Sequence, residues 1–522
     1  MSQKKRFGRR DMIKAAAIGA GATALTGLKL ESARAAEEVT DILIVGAGTS
    51  GMPAAIQAAD LGAKVLVLDK NEAIGGMLHI SGGQLSGANS KLQISKGIED
   101  SPERHYRDAL RIGRYKANSE LVKLAVENAA AMVDWLQEIG VEFMPEAPFF
   151  VYGHEIYSVP RTYQGVASGR TLLEALRKEL DKRIKRGDVV VSLNTKVTKL
   201  IKDKDGRVVG VSVEDQSGTS RDLYAKAVIL ATGGYGANRE MIKKYNPHCA
   251  PSVVTCLPHA TGDGILMAQA AGAKLTHMQY FIPVPGAIED PKTPGRPSFG
   301  VRFPPDHYSD AIWVNKLGQR FINEHTMHPD ERERALLKQP DLTFFLVLDE
   351  KTKDENPSVI RGWTKEKFEQ EATRGEVVKR AGSIEDLARK IGVDAGKLKE
   401  TVETYNSHAA SGTDPEFDRK KLRKLDQPPF YAIRTTGTTL LTMGGVKVNH
   451  SLQVEDENGR VIPGLYAVGE TLGAGQLMGD ALVSGMSVGP AITLGRIVAS
   501  NAYQYAQTVG REEVISKKIK EA

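Results

Sequence analysis

The segment "RFINEHTMHPDE", residues 320–331, sets His325 and His328 at i and i+3 just after an Asn-Glu pair. Three kinds of behaviour are open to them. A metal pair would want further His or carboxylate ligands in a recognisable pattern, and none is evident beyond the exposed-looking run "DERER". Two solvated loop residues would do no chemistry. One imidazole could exchange a proton with a reacting carbon, because the unperturbed pKa of histidine, about 6.5, lies close to neutrality. The choice depends on the pocket that the rest of the chain builds.

That pocket starts at "DILIVGAGTSGMPAAIQAADLGAKVLVLDK", residues 41–70. A β-branched apolar run leads into Gly46, Gly48 and Gly51; an Ala-rich helical stretch follows, then a second apolar strand closing at Asp69. Gly46 permits the tight turn, Gly48 lets the backbone approach a pyrophosphate, and Gly51 lets helix pack on strand. Phosphates would sit at the helix N-terminus, where unpaired N–H groups and the helix dipole favour negative charge. Asp69 is placed to accept hydrogen bonds from ribose hydroxyls. Strand, glycines, helix and acid in this order make a dinucleotide site.

Two later segments specify the dinucleotide. "AKAVILATGGYG" (225–236) and "VIPGLYAVGETLG" (461–473) are strands ending in Gly-Gly and Gly-Glu, and they resemble the closing strands of the glutathione-reductase-like FAD fold. The resemblance implies FAD, with Gly-Glu approaching the ribityl chain. A helix starting near Ser484-Gly485-Met486 would point its positive end at the pyrimidine edge of the flavin. Further cofactor positions expected on this likeness are Lys70, Gly76, Gly83, Val197, Thr232, Gly233, Asp263, Glu470, Ser484 and Met486. No second GxGxxG occurs, so no separate NAD(P) domain is encoded in this sequence.

From about residue 38 to 508 the chain resembles a family that includes the flavocytochrome c fumarate reductases, the urocanate reductases and the 3-ketosteroid dehydrogenases. The likeness is carried by "VGAGTSGMPAAIQA", "AIGGMLHISGG", "ATGGYGANREM", "HATGDGILMAQAAGA", "GQRFINE", "TMGGVKVN" and "IPGLYAVGETLGAG". It implies an α/β fold: a discontinuous, glutathione-reductase-like (Rossmann-type) FAD-binding domain at 38–272 and 425–508, an inserted α+β capping domain at 273–424, and a C-terminal tail at 509–522. It also implies the chemistry. One carbon of a carbon–carbon bond exchanges hydride with flavin N5, and its neighbour exchanges a proton with a side chain, in a site between cap and flavin.

Departures from the family narrow the substrate. Fumarate reductases hold substrate carboxylates with a His just before "TMGG", an Arg in the segment after "GE" and a His in the strand after "TGDG". Here those places fall at Leu441, at Leu482 and near Phe281. A carboxylate moved into an apolar site without a cationic partner loses several kcal/mol; an apolar ligand gains about 25 cal/mol per Å² of surface buried. The expectation is therefore a weakly polar small-molecule substrate such as a steroid, a terpene or a cyclic enone. If Arg302, Arg161 or Arg434 supplies the missing charge, the reading becomes reduction of an unsaturated carboxylate; decay of all three positions would suit a non-catalytic electron-transfer subunit.

The same resemblance returns to the histidines. Five residues beyond Asn323, where fumarate reductases place a proton-donating Arg and ketosteroid dehydrogenases a Tyr, stands His328; His325 matches no catalytic position. Proton transfer by His328 is the leading expectation, with Tyr163 in "RTYQGVASGR" and Tyr280 as secondary candidates for polarising a substrate carbonyl or completing a relay. Electrons would pass to or from a separate carrier: a cytochrome, a quinone-linked protein or a second flavoprotein subunit.

Composition sets the outer bounds. The 522 residues, 26% charged and with a mean hydropathy of −0.28, describe a globular chain with room for more than one domain. A net charge of +6 is spread thinly over sign-alternating runs, which argues against nucleic-acid binding. The only cysteines, Cys249 and Cys256, form no CxxC or CxxCH, and they read equally as a disulfide or as two free thiols. Residues 1–35 hold "FGRRDMIK", a short Ala/Gly stretch too small to span a bilayer, and "ARA". This resembles a twin-arginine export signal and implies a periplasmic mature protein.

Overall fold

The computed structural model describes residues 39–152, 155–300, 310–326, 328–355, 359–510 and 514. The expected export signal and most of the expected tail lie outside the described residues, as does Arg302. Strands that are apolar on both faces belong inside a parallel sheet covered by helices. Ile42, Leu43 and Ile44, and likewise Val228, Ile229 and Leu230, are fully buried. Their strands, Thr40–Val45 and Ser220–Leu230, pair in parallel at the centre of an eight-stranded sheet. Val65–Leu68 and then Val189–Ser192 extend it on one side; Val461–Ala467 and the antiparallel edge Gln453–Glu455 extend it on the other. Helix Gly51–Asp60 makes the first crossover, and the last long helix, Val488–Thr508, packs against it.

A second sheet is built around one long strand, Phe430–Thr439. This strand pairs with Pro283–Asp290, Thr343–Asp349, Val378–Ala381 and Val253–Val254. The expected return to the first domain at residue 425 is therefore displaced: the chain stays in the second sheet through Thr439, and Val253–Val254 enters that sheet before residue 273. Threonines at 435, 436, 438 and 439 favour a strand because β-branched side chains fit a pleated surface.

Two buried ionic nodes fix loops that the sheets leave free. In the first, Arg161 holds Asp100 by two bonds of 2.8 and 2.9 Å and Asp108 by one of 2.6 Å, all three side chains being shielded from water. Arg161 is thus spent inside the protein and is not a substrate-binding cation. It lies over the Tyr157 ring, whose hydroxyl donates to the Ser484 carbonyl at 2.5 Å. Beside it, burial and the Arg161 charge push the His105 pKa down to about 3, so this histidine stays neutral. In the second node Arg320 bonds Glu324 twice and Asp414 once, all at 2.9 Å, while Arg419 reaches Glu324 at 3.1 Å. The "RFINE" segment is therefore a structural splice. His408, Asp414 and Glu416 are close enough together to hold a metal ion, but Asp414 is already engaged by Arg320. Cys249 and Cys256 are both free and buried, and burial pushes each thiol up to about 12.

Removing Arg161 strands two carboxylates in a dry site. Arg161→Ala is expected to cost about 3–5 kcal/mol of stability, read as a fall in the denaturant midpoint at unchanged slope.

Candidate functional site

One cavity of about 600 Å³ runs from the carboxyl ends of the parallel strands to the second sheet. Ligands of doubly wound sheets bind at those strand ends. Gly46 turns there with φ of +106°, and a Cβ on it would lie 2.3 Å from the Ala231 carbonyl oxygen, so the turn needs glycine. At Gly51 an added Cβ would fall 1.8 Å from the Gly46 carbonyl oxygen, so helix and loop can meet only without a side chain. A side chain on Gly48 or Gly233 would project into the cavity itself: the nearest protein atom to the first is 3.9 Å away, and none lies within 4 Å of the second. The residues present leave a cradle shaped for a ligand backbone, and they fit the pyrophosphate and ribityl parts of FAD.

Most of the expected cofactor residues reach the cavity wall: Gly46, Gly48, Asp69, Lys70, Gly76, Gly83, Val197, Thr232, Gly233, Asp263 and Glu470. Asp69 also braces the glycine turn, accepting from the Ala47 amide at 2.8 Å and the Asn71 amide at 2.9 Å. Lys70 pairs with Asp263 at 2.8 Å and donates to Thr261 at 2.7 Å, tying the second strand to the "TGDG" loop. Glu470 is half-buried on the cavity wall; its Oε1 accepts from the amide and hydroxyl of Thr442 at 2.7 and 2.8 Å, and loss of hydration pushes its carboxyl up against those two bonds. Ser484 and Met486 stand elsewhere. The helix begins at Val488, later than the expected start, and its Ser487 cap, Val488 and Ala491 line the cavity in their place. Ser484 is buried against Thr162, and Met486 bounds a small adjoining pocket beside Glu470. The helix dipole still points its positive end at the cavity.

The catalytic candidates are not brought together. The Tyr163 hydroxyl is buried and engaged with Ser90 Oγ at 2.6 Å and the Gly87 carbonyl at 3.3 Å, so it has no route to a substrate carbonyl. Tyr280 packs edge-on against His277 under the Lys116 ammonium, off the cavity wall. His328 opens helix Pro329–Leu337; its side chain is 59% exposed, with Nδ1 3.4 Å from the Glu155 carboxylate, at a seam between the two lobes. His325 sits in a turn closed by its own backbone amide, which donates to Asn323 Oδ1 at 2.9 Å.

The apolar positions are partly as expected. Leu441 and Leu482 line the cavity with Leu440; Phe281 does not, and the wall in that segment is Val284, set by the strand that begins at Pro283. Thr255, Thr438 and His259 also stand on the wall, and no motif marks the two threonines in the sequence. Basic residues among the described wall positions are Lys70, Lys196 and His259, and no arginine is among them. Arg434 projects to the surface toward Glu289. The partly buried Arg239 and Arg296 donate to backbone carbonyls of Ala250 and Cys256, each at 2.8 Å. Beside His328, burial pushes Asp330 above the ordinary carboxylate range and Glu333 well above it.

Residues 41–486 match the family described as FAD binding domain. A fumarate reductase (cytochrome) of Shewanella frigidimarina is 32% identical over 481 residues, 91% of this chain and 79% of that protein. A urocanate reductase of Eggerthella lenta is 33% identical over 470 residues, 88% and 74% of the two chains. Among solved structures, a 3-ketosteroid Δ4-(5α)-dehydrogenase from Rhodococcus jostii superposes with a TM-score of 0.67 at 27% identity, covering 92% of this chain and 99% of that one.

Two outcomes test the geometry. Gly48→Val fills the cradle and is expected to give folded protein that has lost its flavin, read from visible absorbance per protein. Glu333 has a folded-state pKa above its unfolded one, so its contribution is complete at acid pH and disappears as pH rises through the raised value. Melting temperature should therefore fall as pH rises above the ordinary glutamate range, and Glu333→Gln should flatten that fall.

Proposed function

Since the chain belongs to the FAD binding domain family, and is a flavin-dependent oxidoreductase of the fumarate and urocanate reductase and ketosteroid dehydrogenase group, we propose that it oxidises or reduces a carbon–carbon bond, or an allylic C–H, of a weakly polar substrate. The observation that carries this reading is the wall opposite the glycine loops: Val284, Leu440, Leu441 and Leu482, with no arginine among its described residues. A dicarboxylate there would forfeit several kcal/mol per unpaired charge, whereas each buried methylene of a neutral ligand returns about 0.8 kcal/mol.

FAD, when bound, supplies the hydride donor or acceptor. Gly46, Gly48, Gly233 and the N-terminal turn of the Val488–Thr508 helix would hold it, and Glu470 fixes the loop beneath. Leu441, Leu482 and Val284 exclude water and orient the apolar body of the substrate. The proton for the neighbouring carbon is assigned to His328, carried inward as the seam at Glu155 closes; Asp330 and Glu333 beside it stay protonated to a higher pH than ordinary carboxylates and form a local reserve. Electrons pass to a separate carrier, a cytochrome, a quinone-linked protein or a second flavoprotein subunit; the buried thiols Cys249 and Cys256 are unsuited to attaching a haem. The signal-like residues 1–35 support a periplasmic location, and among the described residues no helix is long and apolar enough to cross a membrane.

Reduction of an unsaturated carboxylate is the second reading, favoured by the identity to fumarate and urocanate reductases. A reduced-viologen assay with fumarate, urocanate, a steroid enone and a monoterpene separates the two: turnover is expected on the neutral compounds, and turnover confined to the acids selects the second. His328→Ala should lower turnover at least about a hundredfold with flavin retained; unchanged turnover removes the proton role.

A further inference from the structure

Two threonine hydroxyls of the second sheet stand on the cavity wall beside its leucines. Thr438 lies in register between Val253 on one neighbouring strand and Val284 on the other, and Thr255 follows the first of these strands. Both threonines line the cavity. Thr255 Oγ1 donates to the Thr439 carbonyl at 2.8 Å, and Thr438 Oγ1 stands 3.1 Å from both the Val253 carbonyl and Thr255 Oγ1.

A hydroxyl has one proton and two lone pairs. The Thr255 proton goes to Thr439, and the Thr438 proton goes to Val253 or to Thr255. In either arrangement both protons stay within the protein, and the two oxygens keep lone pairs with no donor to fill them. The side chains of Leu257, Val284, Leu440, Leu441 and Leu482, which line the same cavity, bring no polar hydrogen. The pair is thus an acceptor set in an apolar wall. A carboxylate, carbonyl or ether oxygen placed against it would meet lone pairs, while a hydroxyl would supply the missing proton. Sites built around such a bond reject the analogue that lacks it far more strongly than a hydrophobic wall rejects a methylene.

Resting on the weakly polar reading above, we infer that the cavity selects a neutral substrate carrying a hydroxyl, whose proton is received by Thr438 and Thr255. The flavin-loaded enzyme is to be assayed without oxygen, with reduced viologen, on 4-hydroxycyclohex-2-enone and its methyl ether, with fumarate and urocanate alongside. Expected is a kcat/KM for the alcohol at least about tenfold above that for the ether. Thr438→Val should bring that ratio toward one, and Thr438→Ser should restore it. The ratio is internal to each protein, so a general loss of activity does not mimic the effect. If Thr438→Val fails to fold, the wild-type ratio and Thr255→Val carry the test, and dissociation constants from flavin absorbance shifts give the same ratio where turnover is slow. Equal preference for alcohol and ether in the wild type, or a ratio untouched by both valine variants, overturns the inference and leaves the weakly polar reading standing. Inertness toward both enones and absence of binding, with fumarate or urocanate turned over, sinks that reading and this inference together.

Discussion

The bond between Glu470 and Thr442 joins the two halves of the site. Glu470 follows the last parallel strand of the first sheet, and Thr442 lies just past the long strand of the second. A carboxylate drawn partly out of water is expensive unless its lone pairs are used, and two of them are filled by the Thr442 amide and hydroxyl. This interaction fixes Leu440 and Leu441, which immediately precede Thr442, relative to Gly469 and the helix beyond it. The apolar wall and the flavin cradle therefore share one rigid reference. A loose junction would let the reacting carbon drift, and displacements of about 1 Å are enough to cost rate.

Around that junction the protein separates two solvation regimes. The cradle is lined by glycines, backbone amides and the Lys70–Asp263 pair, which suit phosphate and ribose. Elsewhere the wall carries the aliphatic side chains of Val284, Leu440, Leu441 and Leu482, with the hydroxyls of Thr255 and Thr438. The Arg161 node supports the boundary from behind, because Tyr157 holds the Ser484 carbonyl and Ser484 holds Thr162. The buried arginines are thus used to set loops, and no arginine stands on the described cavity wall.

The first sheet could be read from the sequence because its signals are local: a β-branched run, a glycine that must turn, an acid closing the next strand. Leu441 and Leu482 could be read because flanking motifs fixed their register. Phe281 failed as a wall residue because the strand begins two residues later, at Pro283, and a short offset before a strand changes which side chain faces inward. The helix start was misplaced at Ser484; Ser487 and Pro490, typical of a first turn, were the better markers. Tyr163 could not be judged at all, since nothing near it in the chain shows that Ser90 would take its hydroxyl. The second sheet was cut at residue 425 because a strand's partners are non-local, and four of them converge on one segment.

The two cysteines lie on either side of Val253–Val254, the short strand that borders the acceptor threonines. At neutral pH thiols titrating near 12 are almost wholly protonated, and only the thiolate reacts. An alkylating reagent will therefore pass over both sulfurs until that strand peels from the sheet. The chain carries a native clock for local opening of that strand, needing no engineered label.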